Sequence, residues 1–189
     1  MIVGKTVTLL PFDEKYLDTV HQWINQPDIR RGIGSEGPVS TFAHKRWYEE
    51  VMSDPHSRIF IIGCGAGANA IPRGTIALRL IEHRAHSAEY SIYIADQAWR
   101  RKGIAFEATV LILRFGFMGL GLNRIYLRVM QCNIPAIRLY EKLGFALEGV
   151  AREDAFLDGR FENRACYSML SREFEEKFGR GTCSCPTQS

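Results

Sequence analysis

The apolar pattern of this chain changes period once, in its middle, and that change constrains its fold more than any other feature. Residues 58–63, 73–81 and 88–95 read as short β-strands, separated by a Gly- and Ala-rich turn at 63–72 and a polar turn at 83–87. After them the spacing becomes helical. Ile104, Ala108, Leu111, Ile112, Phe115 and Met118 share one helix face, and Gly119 and Gly121 stop the helix. Strands that feed into an amphipathic helix call for a sheet with that helix packed on it. The junction between the two periods is Arg100-Arg101-Lys102-Gly103-Ile104-Ala105.

The flanks fit the same plan. Residues 5–10 alternate as a first strand that ends at Pro11. Asp13 can cap a helix with Tyr16, Leu17, Val20 and Ile24 on one face, ended by Pro27. Residues 29–40 read as a long Gly- and Ser-containing loop, and 41–52 as a second helix with Phe42, Trp47 and Val51 as core contacts. Residues 124–130 form a strand and 133–143 a short helix stopped at Gly144. Residues 145–152 and 161–170 form a last strand pair, with Asp158-Gly159 as the turn signal. The expected fold is a mixed α/β (α+β) sheet covered by helices, one domain over residues 1–178, with 179–189 as a disordered tail.

Composition excludes several alternatives. The chain has 189 residues, 46% hydrophobic and 24% charged, which is ordinary for a globular protein. A net charge of +3 suits a small anionic ligand and is too weak to argue for nucleic acid. The start does not read as a secretory signal, and the apolar stretch 108–117, broken by Arg114, is too short to span a bilayer. Cys64, Cys132, Cys166, Cys183 and Cys185 are odd in number and scattered, which suggests free thiols in the cytoplasm. Cys183 and Cys185 lack a nearby His, so no metal site is expected. Cys132 reads as a buried thiol.

The junction carries the first chemical signal. A glycine turn entering a helix aims backbone N–H groups at an anion, and the helix dipole favours negative charge there. Arg100, Arg101 and Lys102 add positive charge, while Gly103 and Ala105 are small enough for close approach. Taken alone, the hexapeptide is equally a capped helix with a solvated basic turn. Downstream lies Asn133-Ile134-Pro135-Ala136-Ile137-Arg138-Leu139-Tyr140-Glu141-Lys142-Leu143-Gly144-Phe145, followed by Glu148-Gly149.

These two segments resemble the paired signatures of the Gcn5-related N-acetyltransferases, the first as R/Q-x-x-G-x-G/A. The likeness covers roughly residues 7–170. Trp23-Ile24-Asn25-Gln26-Pro27 is similar to the branch that acetylates ribosomal-protein amino termini, spermidine and amino sugars. The resemblance implies a mostly antiparallel sheet whose fourth and fifth strands splay apart to admit acetyl-CoA. It implies that the segment Arg100, Arg101, Lys102, Gly103, Ile104 and Ala105 binds pyrophosphate. It further implies that Ile92, Tyr93 and Ile94 border the pantetheine arm, and that Asn133 and Ala136 contact it. Tyr140 is then the general acid that protonates the departing thiolate, two helical turns beyond Asn133 on nearly the same face. Without the surrounding signature, Tyr140 reads instead as an amphipathic core residue with its hydroxyl at the rim.

Glu89, at the start of the strand before the turn, is the candidate base for the acceptor amine; a surface pairing with Arg84 or another base is equally open. Some amino-terminal acetyltransferases carry a catalytic Glu at the position of Arg128, which cannot act as a base. His83 and His86 are weaker base candidates. Trp23 and Trp47 read as core anchors, one of which could border the acceptor pocket. The expected activity is acetyl transfer from acetyl-CoA, without a metal, to a small amine such as an amino sugar or polyamine. Glu36, Glu49, Glu50 and Asp54 could attract a polyamine or be a solvated face. The alternatives are a protein amino terminus as acceptor, or a non-catalytic acyl-CoA-binding module, with a homodimer conceivable. Nucleic-acid and membrane partners are not expected.

Overall fold

The computed structural model describes residues 1–34, 37–65, 67–157 and 159–179. Eight strands form one sheet: β1 (Ile2–Val3), β2 (Val7–Pro11), β3 (Arg58–Cys64), β4 (Ile71–Glu82), β5 (Ser87–Ile94), β6 (Arg124–Met130), β7 (Ala146–Leu157) and β8 (Arg160–Leu170). Their order across the sheet is β1-β2-β3-β4-β5-β6-β8-β7. Every neighbouring pair is antiparallel except β5 and β6. The helices are α1 (Leu17–Ile24), α2 (Pro27–Ile33), α3 (Thr41–Ser53), α4 (Ile104–Arg114), α5 (Ile134–Leu143) and α6 (Ser171–Phe178). The mixed, mostly antiparallel sheet flanked by helices is the fold the sequence implied.

Alternation along the strands sends side chains to two cores. Val7, Leu9, Ile62, Ile76, Leu78, Ala88 and Tyr90 pack against α4, α5 and α6 on one face. Leu10, Phe12 and Ile61 face the other way, against Val20 of α1 and Trp47 and Tyr48 of α3. Glu107 of α4 clamps the first strand. Its carboxylate accepts hydrogen bonds from the amides of Lys5, Thr6 and Val7 and from the Thr6 hydroxyl. Residues 5 and 6 therefore serve that carboxylate, and the strand begins at Val7 rather than Lys5.

The parallel pair positions the site. β5 and β6 are in register only at Ser87–Arg124, Ala88–Ile125 and Glu89–Tyr126. Beyond Glu89 they part, while β6 stays paired with β8 along its length. Without the two-residue β1, these are the fourth and fifth strands that the resemblance expected to splay. On its other side β5 is held close to β4: a Cβ on Gly74 would lie 2.1 Å from the Tyr93 carbonyl oxygen.

Four local expectations need correction. Pro27 does not merely end α1; it opens α2, where its missing N–H costs nothing, and Gly34 closes α2 at φ 72°. Residues 29–33, expected as loop, are therefore helical. Phe42 is 78% exposed rather than core. The buried face of α3 follows His44, Trp47, Tyr48 and Val51 at helical spacing, and the polar His44 hid that face in the sequence. The helix from Ile104 changes at Phe115 into a π-helical turn through Gly119. Asp158, half of the expected turn signal, and the expected tail beyond Gly179 lie outside the described residues.

Candidate functional site

The turn before α4 is braced from three sides. Asp96 caps Ala98 N–H and pairs with Arg73 of β4 at 2.8 Å. Trp99 lies between Arg73 and Lys102, each 4.8 Å from its ring centroid. Arg100 reaches Asp28 of α2 at 2.7 Å and donates to the Ile94 carbonyl at 3.1 Å. Arg101 has φ 61° and Gly103 φ 82°, and no side chain caps α4. The Arg100 amide donates to Gln97 and the Glu107 amide to Gly103, but among the described residues the intervening amides of 101–106 meet no protein acceptor. Unsatisfied amides at a helix start with a basic turn are what an anion requires.

The gap between β5 and β6 opens into a cavity of about 1140 Å³ that reaches both faces of the sheet. Along β5 and towards α4 and α5 it is lined by Ile92, Tyr93, Ile94, Arg100, Arg101, Gly103, Ala105, Asn133, Ala136 and Tyr140. Thus ten of the twelve residues expected to meet the cofactor share one space. Ile104 instead packs into the core, and Lys102 rests over Trp99.

Tyr140 lies in α5, whose start is fixed by Asn133: the Asn133 Oδ1 accepts from the Ala136 amide at 3.3 Å. The Tyr140 ring meets Tyr90 edge-on at 6.0 Å and Phe145 at 5.8 Å. Among the described residues its hydroxyl has no hydrogen-bond partner, and burial raises its pKa to about 12. At neutral pH this phenol holds its proton. Tyr93 also lines the cavity, and burial raises its pKa.

On the opposite side the cavity meets α1, α2 and α3 through Val20, Ile24, Ile29, His44 and Trp47. Trp47 thus both packs in the core and borders the cavity, while Trp23 meets Tyr93 edge-on at 6.5 Å. Glu89 pairs with Arg128 at 3.4 Å, not with Arg84. Arg128 also reaches Asp154 at 3.6 Å, and Asp154 reaches Arg164 at 3.3 Å. The position that lacks a carboxylate therefore holds a guanidinium in direct contact with the candidate base.

Sequence reasoning missed Arg164, Asp154, Asp28 and His44. His44 is 1% exposed and stacks on Trp47 at 5.3 Å. Its Nε2 lies 3.2 Å from the Leu17 carbonyl, so that nitrogen carries the hydrogen and Nδ1 keeps its lone pair. Burial, then the charge of His21, pulls its pKa down. Asp28 had a usable signal: an acidic residue just after Pro27, with Gly34 seven residues on, marks a short capped helix.

Several candidates lie elsewhere. His83 packs against His56, and His86 contacts the Gly121 carbonyl; neither lines the cavity. Glu50 pairs with Arg46, Asp54 bonds Ser57 and the His56 amide, and Glu49 is exposed outside the cavity. Glu36, Cys183 and Cys185 are outside the described residues. Cys132 is exposed rather than buried, because the tight turn of the Asn133 amide onto the Met130 carbonyl swings it outward. Among the described residues no cluster of His, Cys, Asp or Glu could hold a metal, and no helix is long and apolar enough to cross a membrane.

Comparison with known proteins agrees with this geometry. Residues 6–146 match the model of the acetyltransferase (GNAT) domain. Spermidine N(1)-acetyltransferase of Escherichia coli strain K12 is 33% identical over 185 residues, covering 96% of each chain. The crystal structure of spermidine N-acetyltransferase from Vibrio cholerae in complex with CoA and spermine superposes with a TM-score of 0.84 at 27% identity, covering 90% of this chain and 99% of that one. The Vibrio cholerae spermidine/spermine enzyme in complex with manganese ions gives 0.76 at 26% identity, covering 92% and 97%.

Proposed function

Because this chain belongs to the GNAT acetyltransferase family, we propose that the cavity through its splayed sheet brings acetyl-CoA and a small primary amine together for direct transfer. The chain is an acetyl-CoA-dependent N-acetyltransferase, and its relatives named for spermidine support a small amine as acceptor. The observation that carries the arrangement is the cavity itself, which joins the unsatisfied amides of 101–106 to Tyr140 and Glu89.

On this reading the amides of 101–106, with Arg101, hold the pyrophosphate. Arg100 anchors the turn through Asp28 rather than through the ligand. The edge of β5 at Ile92, Tyr93 and Ile94, unpaired with β6, offers backbone groups to the amides of the pantetheine arm. Asn133 and Ala136 border that arm at the start of α5. Bound acetyl-CoA supplies the thioester. Glu89 accepts a proton from the acceptor ammonium, and the freed nitrogen forms its bond to the acetyl carbon. As the carbon–sulfur bond breaks, Tyr140 gives its hydroxyl proton to the sulfur, the new amide nitrogen releases its surplus proton to solvent, and a solvent proton restores the phenol. A phenol raised to about 12 by burial is protonated before the step, as a general acid must be.

The test is thiol release from acetyl-CoA across a panel of amino sugars, polyamines, amino acids and an unacetylated peptide. Amine-dependent release with at least one small amine is the expected result. Tight CoA binding with no release on any amine would make the chain an acyl-CoA-binding module instead.

A further inference from the structure

We propose, resting on the small-amine reading above, that the acceptor is a primary amine that also carries an anionic oxygen group, carboxylate or phosphate, held by Arg128 and Arg164. Away from the pyrophosphate turn, the charged side chains lining the cavity among the described residues are Arg79, Glu89, Arg128 and Arg164, besides Lys142, which rests over Phe106 of α4, and Asp28, which Arg100 and Gln97 already occupy. Three guanidinium groups thus face one carboxylate, Glu89, which Arg128 contacts at 3.4 Å. Asp154, which does not line the cavity, braces Arg128 and Arg164 from outside. Glu89, Arg128, Asp154 and Arg164 balance one another, and Arg79 leaves the site positive. A molecule with both an ammonium and an anion matches that balance. A polyamine brings two or more ammonium groups into it, where Glu89 and the already paired Asp28 are the carboxylates lining the cavity among the described residues.

The two arginines keep donors for such a group. A guanidinium has five N–H bonds in a planar fork that fits a carboxylate or phosphate. Arg164 spends Nη1 on Asp154; Arg128 spends Nε on Glu89 and Nη1 on Asp154. These contacts, at 3.3–3.6 Å, are longer than the 2.6–2.8 Å of the Arg124–Glu148 and Arg73–Asp96 pairs, so neither head is saturated. The frame is specific. Between Ala151 and Ala155 β7 bulges against β8, Glu153 takes φ 53°, and its amide is held by Asn163 Oδ1 at 2.8 Å. A bulge of this kind re-aims a side chain, here Asp154 behind the two arginines.

The experiment compares kcat/KM for matched pairs: L-amino acids against their amides, and glucosamine 6-phosphate against glucosamine, with spermidine alongside. The anion-bearing member should win by about tenfold or more, chiefly through KM. The two pairs separate a carboxylate from a phosphate. Arg164→Gln should bring the winning ratio towards one and Arg164→Lys should retain part of it, with CoA affinity measured in each to confirm folding. A preference for spermidine over every anionic amine, or equal rates within both pairs, would overturn the inference and leave the proposed function standing. CoA binding without transfer to any amine would overturn the proposed function, and this inference with it.

Discussion

Replacing Gly103 by alanine isolates the geometry of the pyrophosphate turn. Gly103 sits at φ 82°, and a Cβ added there meets no atom within 4 Å. The substitution therefore adds no clash, only the strain of a left-handed L-residue, about 1–2 kcal/mol. The turn can absorb that strain in two ways. If it keeps its conformation, the free protein loses about 1–2 kcal/mol of stability, a fall in Tm of roughly 2–8 °C for a chain of this size. If it relaxes, the free protein loses less and the amides of 101–106 swing away from the anion, so CoA affinity falls by up to about 5–30-fold. Binding restores the original turn, so the CoA-saturated protein carries the full cost in either case. Thermal melts with and without CoA, together with calorimetric titration, measure both shares. If CoA affinity and the Tm of the CoA-bound protein both match the parent, this turn is not where the anion binds.

Other substitutions probe separate parts of the account. Tyr140→Phe leaves no orphaned partner, because the hydroxyl has none among the described residues; kcat should fall about a hundredfold or more while CoA affinity stays within about twofold. Since burial pushes the Tyr140 pKa up to about 12, the alkaline side of the pH–rate profile should show no loss of this acid below roughly pH 11. Asp28→Asn removes the brace on Arg100; stability should change by less than about 1 kcal/mol, both groups being over a third exposed, and CoA affinity should fall by up to about fivefold. Burial alone would raise the Glu107 carboxyl, but hydrogen bonds from Thr6, Val7 and Lys5 outweigh it and hold its pKa below the usual value. Its contribution is therefore present above the unfolded-state pKa and lost as pH falls through the folded one. Acid titration of stability should show a shallower loss in Glu107→Gln than in the parent.

The donor half of the site was legible in the sequence because its parts are local. The turn at 100–105 and the helix carrying Asn133 and Tyr140 each lie within one short segment, and each has a spacing that a helix enforces. The splay was implied only by resemblance; no residue pattern encodes where β5 and β6 part. The acceptor half was not legible for a physical reason. Arg128 meets Glu89 and Asp154 across three strands, and the bulge at Glu153 that aims Asp154 leaves no turn signal of Gly or Pro in that stretch. His44 was hidden by its polarity on an otherwise apolar helix face, and α2 by reading Pro27 as a stop rather than a start. Phe42 shows the converse error: an apolar residue off the buried face was given to the core.

The central claim is that one continuous cavity holds donor and acceptor together, so that the amine attacks acetyl-CoA directly. Initial velocities over a grid of acetyl-CoA and amine concentrations test this most directly. The account predicts double-reciprocal lines that intersect, with both substrates bound before either product leaves. Parallel lines, the mark of an acetylated enzyme formed before the amine arrives, would contradict it.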